Sequence, residues 1–336
     1  MPRTEIETTD GPVAAGSLGR TVVHEHLFSV NDIVRIEWPH LVDHAADERR
    51  ALEALESVKA HGVQTWVDPA CMFLGRNAEV SKRLAERTGM NVVMATGAYV
   101  YEKLPRYFHF RDETALTGCF VHDAEQGIQG TGVKAAFIKC AVDEPGITAD
   151  VEKVLRAVAA AHQRTGLPVM SHCRPGGMVL TEDGVEEAPQ EERDKSVATV
   201  MRQLEILIDE GGIPPNALHL AHVGDTNDLD AIERFLDHGV WIGMDRYGLD
   251  IINPSPNRNQ TVAELVRRGY ADRMMLSTDS CANFDWYPPE LVQATAPRWR
   301  SSVLFEEELP TLHELGVGDE HFAQMLDRNP AAWLSA

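Results

Sequence analysis

Short apolar runs alternate along the chain with stretches in which apolar positions recur every three or four residues. The first pattern marks buried strands and the second amphipathic helices. Strands are expected at 21–28, 63–68, 91–99, 135–142, 168–173, 217–223, 240–247 and 274–279. Helices are expected between them at about 47–60, 76–88, 113–126, 148–165, 195–210, 227–238 and 261–269, with a last one at 319–326. Gly62 and Gly89 stand where two of these helices stop. The strand runs are apolar on both faces, which fits a parallel sheet covered on each side by helices. Eight strand–helix units in 336 residues predict a closed (β/α)8 TIM barrel rather than an open doubly wound sheet, with 1–336 forming one domain. One stretch breaks the rhythm. Residues 174–194, acidic and glycine-bearing, read as an irregular inserted loop before the fifth-strand helix.

Composition narrows the partners. A formal net charge of −21 opposes binding to a nucleic-acid backbone or an anionic membrane, and favours a small neutral substrate. No apolar run is long enough to span a bilayer, and the first twenty residues lack the apolar core of an export signal, so a cytoplasmic location is expected. Five cysteines, odd in number and without a C-x-x-C pair, indicate reduced thiols rather than a disulfide framework.

In such a barrel the chemistry sits where strands end and loops begin, so the polar residues that terminate the apolar runs are the informative ones. The first strand ends in His24 and His26, the fourth in Lys139, the fifth in His172, the sixth in His222 and the eighth in Asp279. Any one of these reads more simply as a hydrogen-bonded structural residue. Their coincidence at equivalent points of five strands points to a metal site. Lys139 fits because a buried lysine has a lowered pKa, and its neutral amine can take up carbon dioxide to become an anionic carbamate. His219 is expected to face away from His222 and to be structural, and Asp68 to be structural or to stand behind the metal ligands.

These residues, with Trp38-Pro39-His40-Leu41, Ala95-Thr96-Gly97-Ala98-Tyr99, 143–148, Gly224-Asp225-Thr226 and Asp245-Arg246-Tyr247-Gly248-Leu249-Asp250, resemble the phosphotriesterase family of the amidohydrolase superfamily. Within it the similarity is greatest to the phosphotriesterase-like lactonases. The resemblance implies two divalent ions, zinc first among candidates and cobalt, iron or manganese as alternatives. His24, His26 and Asp279 would hold the more buried ion, and His172 and His222 the more exposed one. Lys139, N6-carboxylated, would bridge the two. It also implies that Tyr99, Arg246, Cys281 and Trp286 lie beside the substrate, and that the protein is a homodimer. The expected activity is hydrolysis of N-acyl homoserine lactones, with a weaker action on organophosphate triesters. Asp279 would accept and pass on the proton, and Tyr99 and Arg246 would assist. The alternatives are a phosphotriesterase proper, a lactonase for aliphatic or sugar lactones, or a catalytically silent binding barrel. The 174–194 stretch departs from the family pattern and bears on substrate access.

Overall fold

A computed structural model gives the structure for residues 3–181 and 184–336. The chain opens with an antiparallel hairpin, β1 (Glu5–Thr8) and β2 (Gly11–Ala14), in which Ile6 lies opposite Val13. Then come β3 (Thr21–Val22), β4 (Thr65–Asp68), β5 (Asn91–Gly97), β6 (Phe137–Ala141) and β7 (Val169–His172). A second antiparallel hairpin, β8 (Met178–Thr181) and β9 (Gly184–Glu187), precedes β10 (Leu218–Ala221), β11 (Trp241–Met244) and β12 (Met274–Leu276). The two hairpins aside, the other eight strands form one parallel sheet in chain order.

The ring closes beyond the ends of β3 and β12. Asp279 donates its N–H to the His24 carbonyl at 3.0 Å, His26 to Ser280 at 2.9 Å, Ala282 to His26 at 2.9 Å and Ser29 to Asn283 at 2.9 Å. The expected barrel is therefore present, with its seam made by segments that have left regular strand geometry. One set of strand positions, including Val67, Val93, Phe137, Met170 and Met275, fills the interior. The alternate set, including Trp66, Val92, Ile138, Val169 and Leu276, packs outward against the helices. Ile6 from the first hairpin, Leu18 and Trp333 from the helix Asn329–Leu334 join the interior cluster and plug its N-terminal end, where Trp333 stands edge-on to Phe137 with ring centroids 5.3 Å apart.

The helices expected near 76–88, 113–126, 148–165 and 227–238 are Ala78–Thr88, Glu113–Glu125, Ala149–Thr165 and Leu229–Leu236. Asn77, Asp112, Thr148 and Asp228 cap them by accepting a backbone N–H in the first turn. Two expectations need correction. The helix expected at 261–269 runs over Ser255–Arg267, because the prolines around Ser255 are tolerated in a first helical turn and the buried face there carries Arg258 and Asn259, which hide the apolar period. The 174–194 stretch is not irregular throughout. It holds the β8–β9 hairpin and the start of the helix Gln190–Leu204. The hairpin's faces are only partly buried, so its apolar signal is weak; Glu182 and Asp183 fall outside the described residues.

His219 is the third correction. It does not face away from the site's side of the sheet, because β10 alternates with Leu218 and Leu220 outward and Ala221 inward, which puts His219 inside the barrel. There it lies edge-on to Trp333 with centroids 5.2 Å apart, in the floor of the barrel rather than at its mouth. His222 reaches the interior by a different route, since its φ of +71° breaks the alternation.

Gly97 shows how tightly β5 and β6 approach. Its φ is +121°, it pairs with Lys139, and a Cβ built on it would lie 1.9 Å from the Lys139 carbonyl oxygen. Gly97→Ala is expected to lower the unfolding free energy by about 3 kcal/mol, from steric overlap and a disfavoured backbone together. Urea denaturation checks this, and an unchanged midpoint at unchanged slope would show that β6 yields freely.

Candidate active site

All six strand-end residues meet at the C-terminal mouth of the barrel and are nearly or fully buried, from 1% exposure at His24, Lys139 and His222 to 8% at Asp279. Lys139 and His172 arrive on the inward face of β6 and β7. His24 and His26 follow β3 in a segment that bends at Val23 and His24, and both bring Nε2 to the same oxygen of Asp279. Asp279 Oδ1 lies 3.2 Å from His24 Nε2 and 3.2 Å from His26 Nε2, and Asp279 Oδ2 lies 3.8 Å from His222 Nε2. Lys139 Nζ is 3.5 Å from His24 Nε2. The His172 and His222 ring centroids are 4.5 Å apart. Ligating atoms of His24, His222 and Asp279 lie within 4.8 Å of one another, which suits a shared cation.

Asp245, just past β11, sets the proton positions. Its Oδ2 lies 2.8 Å from His24 Nδ1, and its Oδ1 lies 3.1 Å from His222 Nδ1 and accepts the His222 backbone N–H at 2.8 Å. Burial works to raise its pKa, but His222 and His24 hold it well below the usual carboxylate range. An ionised Asp245 only accepts, so both Nδ1 atoms carry hydrogen and both Nε2 lone pairs point at Asp279. Burial pushes His24 down to about 4, helped by Lys139, and pushes His172 down to about 3. His222 is also lowered by burial, with Arg246 adding to it. Asp279 lies well below the usual carboxylate range despite burial, and with His24 and His222 neutral the cation that keeps it ionised is Arg246, bonded to it at 2.9 Å. The neutral His24 and His222 lone pairs thus face an anionic carboxylate, an arrangement that repels unless a cation occupies the centre. The donor set fits divalent metal.

Around this centre stand the residues expected near the substrate. The Tyr99 hydroxyl donates to Asp143 Oδ2 in a short hydrogen bond, its ring is edge-on to His172 at 5.3 Å, and it meets Trp286 at 6.0 Å and 67°. Asp143 Oδ2 is also 3.8 Å from His172 Nε2. Burial and Asp143 raise the Tyr99 pKa well above its ordinary value, so the hydroxyl stays a donor. Arg246 Nε donates to Asp279 Oδ2 at 2.9 Å and its Nη1 to Asp225 Oδ2 at 2.8 Å. The buried Arg258 guanidinium in turn lies 3.4 Å from Asp225 Oδ1. Cys281 pairs with His26 across the barrel seam, and its thiol is held well above its ordinary pKa by burial and Asp279.

Several further residues shape the site. Asp245 ends its strand just as Asp279 does and obeys the same rule. Asp68 fits its expected supporting place, accepting from Leu27 N at 3.2 Å and Ala70 N at 2.8 Å and standing 3.7 Å from His26 Nδ1. Asp143 and Asp225 lie in loops, where no periodicity announces them. Glu25 sits between the two first-strand histidines, and burial pushes its carboxyl up to about 7 against hydrogen bonds from Thr278, Ser280 and Ser277 that favour the ionised form.

A buried imidazole and carboxylate donor set at the C-terminal mouth of a parallel barrel defines a metal-dependent hydrolase. The comparisons specify which kind. The Phosphotriesterase family model matches residues 4–186 and 191–334, and the chain belongs to that family. An aryldialkylphosphatase of Saccharolobus solfataricus is 38% identical over 325 residues, covering 96% of this chain and 97% of the relative. A phosphotriesterase homology protein of Mycobacterium tuberculosis is 37% identical over 334 residues, covering 97% of this chain and 96% of its own length. The solved structure of the phosphotriesterase from Mycobacterium tuberculosis superposes with a TM-score of 0.88 at 36% identity, over 98% of each chain. No helix among the described residues is long and apolar enough to cross a membrane.

Proposed function

We propose that this hydrolase is a lactonase for N-acyl homoserine lactones, and that it cleaves organophosphate triesters more slowly. In this reading His24, His26 and Asp279 would hold one divalent ion and His172 and His222 a second, Lys139 as its carbamate would serve both, and zinc is the first candidate metal. When bound, such ions polarise the ester carbonyl and lower the pKa of water. The protein's own groups do the rest. Asp279 accepts a proton and returns it to the alkoxide as the ring opens. Asp245 keeps the His24 and His222 lone pairs directed at the centre. Tyr99, held as a donor by Asp143, and Arg246, held by Asp225, line two sides of the space above. A homodimer is part of the same proposal, drawn from the family resemblance.

The observation that supports the lactonase reading is the aromatic wall formed by Tyr99, in ring contact with both His172 and Trp286, together with the Arg246 guanidinium at Asp279. A flat lactone ring with an acyl tail suits an aromatic wall leading away from the centre. A triester puts a tetrahedral phosphorus at the centre and has no long acyl tail, and the flat ring of an aryl triester belongs to its leaving group. The name of the Saccharolobus solfataricus relative supports the second reading, a phosphotriesterase proper.

Paired kinetics decide between them. Because Arg246 is bonded to Asp279, Arg246→Ala is expected to slow both substrates, and to lower kcat/KM for a long-chain homoserine lactone at least about tenfold more than for a triester, roughly 1.4 kcal/mol of differential transition-state binding. Trp286→Ala does not touch Asp279 and is expected to weaken the lactone reaction alone. Equal losses on both substrates in both variants, or a wild type that prefers the triester, would transfer the assignment to the phosphotriesterase.

A further inference from the structure

Two residues at the centre hold backbone conformations that L-residues avoid, His222 at φ +71° and Asp279 at φ +51°. Each is braced by a buried carboxylate from another strand. His222 gives its own N–H to Asp245 Oδ1 at 2.8 Å. For Asp279 the brace is Glu25, which is fully buried. Glu25 Oε1 accepts from Ser277 Oγ at 2.9 Å, Thr278 N at 2.7 Å and Thr278 Oγ1 at 2.8 Å. Its Oε2 accepts from Thr278 Oγ1 at 2.7 Å, Ser280 N at 3.0 Å and Ser280 Oγ at 2.7 Å. The two backbone N–H groups taken belong to the residues on either side of Asp279.

A carboxylate buried only to satisfy a seam would be an expensive choice, since an apolar seam avoids its desolvation altogether. Regular pairing does only part of that task, because the β12 ladder ends at Leu276 and isolated backbone bonds follow it, among them Asp279 N–H to the His24 carbonyl and His26 N–H to the Ser280 carbonyl. We propose that Glu25 is a positioning residue for hydrolysis. By gripping residues 277–280 it keeps Asp279 in its left-handed conformation, with its carboxylate at His24 Nε2, His26 Nε2 and Arg246 Nε. The histidines of the first strand and the aspartate of the last thereby become one rigid unit. This rests on the reading of Asp279 as metal ligand and proton acceptor.

The test is a double-mutant cycle on cobalt-loaded enzyme at metal occupancy verified by elemental analysis. Glu25→Gln preserves shape but turns one acceptor into a donor facing donors. It is expected to lower kcat at least about tenfold with KM within about threefold, and to shift the visible cobalt absorption bands as Asp279 leaves its place. In an Asp279→Asn background the same change is expected to cost less than about threefold more, because the two act through one group. Unchanged kcat and spectrum, or equal losses in both backgrounds, would overturn the proposal. If Glu25→Gln does not accumulate as folded protein, Ser280→Ala removes one donor and keeps the charge. A loss of at least about threefold with the same spectral shift supports the proposal there, and wild-type rate and spectrum reject it. Should Asp279→Asn itself retain near wild-type kcat, the reading of Asp279 fails, while the cobalt spectrum of Glu25→Gln still reports whether Glu25 sets the ligand geometry.

Discussion

Asp279→Asn is expected to lower kcat by about 10² to 10⁴ while KM moves little, at metal occupancy matched to wild type. The asparagine keeps the volume but removes the charge that faces His24 Nε2 and His26 Nε2, each at 3.2 Å, and the Arg246 guanidinium at 2.9 Å. It also places an amide hydrogen where a proton has to be received. Substrate meets the same Tyr99 and Trp286 walls, so binding is largely preserved and the loss falls on the step in which the proton moves. A kcat within about threefold of wild type at full occupancy would remove Asp279 from the proton-accepting role.

Lys139→Ala is expected to abolish most hydrolysis by another route. Lys139 is nearly fully buried, and burial lowers its pKa, so the neutral amine is more accessible than in an exposed lysine. Reaction of that amine with carbon dioxide forms a nitrogen–carbon bond, releases a proton and leaves a carbamate anion. On the proposed reading that anion would add negative charge to a centre of four histidines and one aspartate. Alanine removes it, and metal content measured after dialysis is expected to fall with activity. Propionate at high concentration is expected to return part of both, by lodging its carboxylate in the vacated volume. Wild-type metal content and rate in the variant would mean that Lys139 is a structural residue only. Mass spectrometry of the native wild type, reading a gain of one carbon dioxide at Lys139, gives an independent check.

The barrel was legible because its strands are apolar on both faces and its helices are closed by ordinary capping residues such as Asn77 and Thr148. The six central residues were legible because each lies near or just beyond the C-terminal end of an apolar run, and those ends share one mouth. What escaped were relations between strands. Glu25 reaches across the seam to 277–280, and Asp245 reaches sideways to two histidines, neither of which leaves a periodic trace in a linear sequence. His219 was misread because alternation was carried past Ala221 into a residue whose positive φ reverses it. The β8–β9 hairpin and the first turns of the helix at Ser255 were hidden by partial exposure in one case and buried polar residues in the other.

The barrel seam also has a consequence for how the protein is made. Glu25 and Thr278, which join its two edges, are separated by 253 residues. During synthesis the first strand leaves the ribosome long before its closing partner exists, and waits with one edge and its histidines unpaired. Contacts of such long sequence separation form late and slowly. Trp333, which plugs the floor, arrives later still. The nascent chain therefore passes through a stage in which most strand–helix units are available but the donor set is split between its ends. On this order of events the full donor set exists only once the circle has closed, and a bound metal favours the closed chain over the open one.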